Sequence, residues 1–169
     1  MFKIYLLLLI LTFTNLFSQD IIKKYDKFEN KFHLSLEDYI DLYVEDPSET
    51  LDFDINILKI YNSQDTSYYL KISAECRSKM MCSTLESKCV IVYDNNSIVL
   101  KHSNLDFEKK MFNLFNYHFD IPIQKQDLIN LFSTKIIEIA IYCEDVELKG
   151  KFTEEDFEDF RKFIKNYVK

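Results

Sequence analysis

The chain has 169 residues, 47% of them hydrophobic and 29% charged, with a formal net charge of −7. That length holds one domain with a real core, and 15 Phe with 11 Tyr exclude wholesale disorder. The lone glycine, Gly150, excludes the dinucleotide and P-loop phosphate cradles, which need several glycines at fixed spacing.

The first eighteen residues read as an export signal. Lys3 forms a short positive start, Ile4 to Phe13 is an apolar run broken by Thr12, and residues 14–18 are a polar-to-small exit with cleavage expected before Gln19. The run is shorter than the roughly 20 apolar residues of a membrane span, and no Cys near the cleavage point supports a lipid anchor. The expectation is an exported chain, periplasmic or secreted, soluble after cleavage. Losing residues 1–18 removes Lys3 and no acid, so the mature chain is more acidic still. Such a surface repels nucleic acid and anionic membrane. Arg77 and Arg161 are the only arginines among 21 basic residues, which leaves few planar forks for phosphate.

The ending Leu16-Phe17-Ser18-Gln19 resembles the signal peptides of Bacteroidota bacteria. The later layout of short aromatic hairpins, an isoleucine strand and a terminal amphipathic helix is similar to small exported proteins of that group. The resemblance implies export; that group has no assigned function and no motif from which to carry over site residues.

In chain order, Ile21, Tyr25, Phe28 and Phe32 fall at helical spacing, and Ser35 with Asp38 fits a capping box ahead of Tyr39, Ile40, Tyr43 and Val44. Two short helices ending at Pro47 are expected, a helical lead-in over 19–52. From Phe53 the pattern turns to β. Phe53, Ile55 and Ile57 alternate with polar residues, residues 62–65 form a turn cluster, and Tyr68 to Cys76 alternates again. Residues 77–88 carry no clean period and read as a loop. A second hairpin joins Val90–Tyr93 to Ile98–Leu100 through Asp94-Asn95-Asn96-Ser97. Residues 105–114 read as a polar segment, Phe115 to Ile121 as a strand and Gln124 to Phe132 as a short helix. Ile137–Cys143 and Val146–Phe152 form a third hairpin. Thr153 with Asp156 caps a last helix, whose stripe is Phe157, Phe160, Ile164 and Tyr167. The expected fold is α+β: a mainly antiparallel sheet with short N-terminal helices and a C-terminal amphipathic helix packed on it, residues 53–169 forming a single domain.

Four cysteines in an exported chain point to disulfides, and four allow three pairings. Cys76 and Cys143 end apolar strand faces, which favours joining them, while Cys82 and Cys89 bracket a short loop. The spacings fit neither a redox C-x-x-C nor a zinc site. His118 and Asp120, two residues apart on one strand face, are the candidate acid–base pair, though a solvated sheet face explains them more simply. His102 beside Ser103 is undistinguished. The acids from Asp38 to Asp54 offer oxygen ligands to calcium, yet the EF-hand pattern is absent and solvated charge explains them. Tyr69 and Tyr142 fall opposite the apolar faces and suit a protein-binding patch, unless helices cover that side.

No cofactor is implied, and the absence of a catalytic motif leans the reading away from an enzyme. The expected role is a non-enzymatic, exported interaction or binding module, with a basic protein as the partner that an acidic surface selects. A sharper form is a periplasmic inhibitor or immunity-type protein. The alternative is a small exported hydrolase using His118 and Asp120.

Overall fold

The protein is seen in a computed structural model that describes residues 21–44, 50–77, 79–80, 87–110, 112, 114–135, 137–144 and 147–169, with backbone only at 154–156. The chain is mainly β, with all strand pairs antiparallel among the described residues. The larger sheet holds β1 (Ile21–Asp26), β2 (Lys31–Leu36), β3 (Ile40–Asp41), β5 (Thr50–Tyr61), β6 (Thr66–Cys76), β9 (Asn104–Lys109) and β10 (Phe115–Ile123). Its order is β1-β2-β5-β6-β10-β9, with β3 also on β5. The smaller sheet runs β4 (Tyr43–Val44), β12 (Glu147–Lys151), β11 (Ile137–Tyr142), β7 (Lys88–Tyr93), β8 (Asn96–Leu100). Two helices complete the fold, α1 (Lys125–Phe132) and α2 (Glu154–Tyr167).

The expected N-terminal helices are strands. Ile21 and Tyr25 are four apart, an even spacing that suits a strand as well as a helix, and Phe32 returns to the same face across the hairpin. Tyr25 and Phe32 sit directly opposite each other with ring centroids 4.9 Å apart. The turn is set locally: Asp26 Oδ1 accepts from Phe28 N and Glu29 N at 2.8 and 3.2 Å, and Asn30 takes φ 53°. Phe28 rides on that turn, 89% exposed, rather than on a buried helix face. The capping-box Ser35 lies inside β2, and Pro47 lies outside the described residues. The N-terminal segment is therefore no separate lead-in, since β1–β3 build the larger sheet and β4 the smaller.

The stretch read as polar at 105–114 is in part β9, an edge strand whose charged residues face solvent and whose Leu105 and Phe107 sit opposite Phe119 and Tyr117. The other hairpins follow the alternation. In the second, it is Asp94 that takes positive φ, at 49°.

Inner faces of the two sheets meet in one core: Phe53, Ile55, Leu70, Ile72, Phe119 and Ile121 from one side, Ile91, Ile139, Ile141 and Leu148 from the other. The helices share that inner space, so the larger sheet is covered by the smaller sheet and the helices together. From α2, Phe157, Phe160 and Ile164 are buried as the stripe requires, joined by Phe163 and Val168. Phe152, just after β12, packs on Phe157 and Phe160 at 5.6 and 5.0 Å. Arg161 donates to the carbonyl of Thr134, tying α2 to the turn after α1, and Lys59 Nζ donates to Tyr167 O at 2.6 Å.

Candidate functional site

The outer face of the larger sheet carries no helix, and its side chains align in rows set by register. One row reads Asp41, Asp54, Ser73, His118, Asp106 across β3, β5, β6, β10 and β9. The row to one side reads Asp52, Glu75, Asn116, Glu108; on the other side lie Asn56, Lys71, Asp120 and Asn104. Carboxylates dominate. Lys71 reaches Asp120 at 3.8 Å, and Lys110 reaches Glu75 at 2.7 Å.

The acids concentrate at one end. Carboxylate oxygens of Asp41, Asp52 and Asp54 lie within 4.8 Å of one another. Asp52 and Asp54, two residues apart on β5, share the outer face by strand alternation and Asp41 sits opposite Asp54, while a bulge between Thr50 and Asp52 turns Thr50 into the core. Burial, then the neighbouring Asp52 and Asp41, push the Asp54 carboxyl up to about 7. Its Oδ1 is buried and receives no hydrogen bond. Tyr39 borders the same group, its phenol raised by burial and then by Asp120 and Asp54.

His118 is exposed in the middle of this face, opposite Ser73 and Asp106. Asp120 is engaged by Lys71. Neither residue lines any of the clefts described below.

The cysteines are arranged differently from the expected pairs. Cys76 and Cys89 are buried thiols, so neither Cys76–Cys143 nor Cys82–Cys89 is formed, while Cys143 is disulfide-bonded. Cys76 ends a strand of the larger sheet, and Cys89 faces the core from the smaller one. Burial pushes the Cys89 thiol up to about 12. Cys82 lies outside the described residues.

One pairing gave no sequence signal. Ser87 Oγ contacts His102 Nε2 in the interior, and His102 stands edge-on to Phe119 at 5.8 Å. A hydroxyl on an imidazole nitrogen is a nucleophile–base arrangement, but both residues are buried from solvent. Here it serves as a clasp between the start of β7 and the chain after β8.

Tyr142 stands on the outer face of the smaller sheet, which the helices do not cover. It borders a shallow cleft of about 220 Å³ with Val90, Val92, Ala140 and Lys149. Tyr69 lines an open groove of about 650 Å³ with Val99, Pro122 and Lys125. No protein-family model, curated protein or solved structure matches the chain.

Proposed function

We propose that this chain is an exported, non-enzymatic protein-interaction module, whose acidic outer sheet face takes up a basic segment of a partner protein. The observation that carries this is the crowding of Asp41, Asp52 and Asp54 on an uncovered strand face, within 4.8 Å and with no ion pair to any of them among the described residues. Three carboxylates so close repel one another in the unbound chain. A lysine or arginine from a partner relieves that repulsion, so its binding draws on energy already stored in the face. A flat, register-aligned sheet face also suits an extended protein surface better than a small substrate, which needs a concave site. An inhibitor or immunity-type role is the sharper form of the same reading.

The test is capture from the envelope fraction of the protein's own host, by the natural chain and by a D41N/D52N double variant. A single stoichiometric basic protein, released by high salt and lost by the variant, supports the reading. Capture that ignores both salt and the variant counts against it, as does the absence of any captured protein.

A further inference from the structure

Net charge hides a local reversal. The core-facing row of the larger sheet reads Lys23, Leu34, Lys59, Tyr68, Ile123 across β1, β2, β5, β6 and β10. Past the core this inner face runs out beneath the C-terminal end of α2 and the first residue of α1, leaving a cleft of about 550 Å³. Four lysines from four elements line it: Lys23, Lys59, Lys125 and Lys169, with Tyr61 and Tyr68 between them. No Asp or Glu lines it, and none of the six ion pairs among the described residues uses these lysines. In a chain of net charge −7 this is an isolated cationic cleft.

Part of the cluster has a structural reason. Lys59 donates to Tyr167 O at the negative end of α2, and Lys169 lies 3.5 Å from the Phe132 ring centroid. Lys23 is held by the same kind of ring contact as Lys169, and Lys125 by neither kind. Lys23 lies over Phe32 at 4.7 Å, which places its ammonium without neutralising it. Lys125 sits in the first turn of α1, where the helix dipole disfavours a cation, and Gln124 gives that turn no side-chain cap. The cleft thus gathers four ammoniums that form no ion pair among the described residues.

We propose that this cleft binds a small molecule through its phosphate group. Lysine ammoniums are compact point charges that bind phosphate without the planar fork of arginine, which the cleft lacks. The volume lies within the usual range for small-molecule sites. This site is independent of the acidic face, which lies on the opposite side of the same sheet.

The test uses the full chain with pyrophosphate as the probe, read by calorimetry and by the melting temperature, with a K23Q/K125Q variant, a K125Q single variant and a K151Q control. Both cleft lysines are exposed, so unligated melting should stay at the wild-type value or rise slightly where K125Q removes a cation from the start of α1. The expected result is saturable pyrophosphate binding, kept by K151Q and weakened roughly tenfold or more in the double variant, as loss of charge-assisted hydrogen bonds requires. Vesicles containing phosphatidic acid form a second arm. Vesicle binding that pyrophosphate displaces and K23Q/K125Q loses supports the same site with its phosphate carried on a lipid. No binding to either probe, or equal binding by wild type and the double variant, overturns the proposal.

Discussion

A Cβ placed on Gly150 would lie 2.5 Å from Cδ1 of Phe53, closer than any real side chain tolerates, and 3.0 Å from Leu42 Cβ. Gly150 is on β12 of the smaller sheet and Phe53 on β5 of the larger, so the chain's one glycine marks where the two sheets approach most tightly. It does not take a positive φ, so space rather than backbone freedom requires it.

Gly150→Ala is therefore expected to destabilise the protein by about 1–3 kcal/mol through overpacking. Phe53 is fully buried and cannot swing into solvent. Adding Phe53→Leu to Gly150→Ala should recover part of the loss, because the two residues share one space. Urea unfolding of the three variants checks this, and simple additivity of the two changes would refute the contact.

Stability should fall as pH rises from about 4 to about 7. The Asp54 carboxyl is raised from 3.8 to about 7 in the folded protein, so across that window the folded state holds a proton that the unfolded chain has released. The contribution is full below the unfolded value, is lost as pH climbs through the folded one, and stays lost above it. Asp54→Asn should flatten this slope and raise the melting temperature at pH 8 relative to wild type. A wild-type melting temperature that is level across that window, or parallel pH curves for the two proteins, would show that Asp54 is not so held.

Long-range pairing accounts for most of what local pattern misread. Ile21 and Tyr25 are four apart, which satisfies a helix and a strand alike, and the hairpin turn at Asp26–Asn30 is what brings Phe32 opposite Tyr25. β6, β10 and β11 are legible because each alternates cleanly over a buried face, β5 because Phe53, Ile55 and Ile57 do so in its middle, and α2 because of its aromatic stripe. The acidic face was visible as acids but not as a cluster. Asp52 and Asp54 share a face by alternation, but Asp41 meets them only through the β3–β5 pairing. The cationic cleft draws on residues 23, 59, 125 and 169, which no local window contains.

Thiol chemistry should separate the cysteines. With Cys76 and Cys89 buried and the Cys89 thiol at about 12, the native protein at pH 8 should leave both unlabelled by iodoacetamide. In denaturant without reductant, the Cys76 and Cys89 peptides should carry the label and the Cys143 peptide should not. Peptide mapping reads this directly. A Cys143 label before reduction would contradict its disulfide, and native labelling of Cys89 would contradict its burial.

Asn56 should be the most costly polar residue of the larger sheet to lose. β2 and β3 lie end to end along β5, pairing with residues 58–61 and 54–55, which leaves the backbone between them without a ladder partner on β5. The Asn56 side chain fills that gap. Its Oδ1 accepts from Leu36 N at 3.2 Å, and its Nδ2 donates to Leu36 O and Asp38 O, both at 3.1 Å. Only 4% of Asn56 is exposed, so water does not readily replace those bonds. Asn56→Ala leaves a buried N–H and two carbonyls short of partners and should cost about 2–4 kcal/mol. Asn56→Asp keeps the acceptor for Leu36 N but faces two carbonyls with a carboxylate, so its deficit should grow above the carboxyl pKa. The local readout is amide exchange at Leu36, which should speed up in both variants relative to amides deep in β6. Unchanged Leu36 protection together with wild-type stability in Asn56→Ala would mean that the β2–β3 junction holds without this side chain.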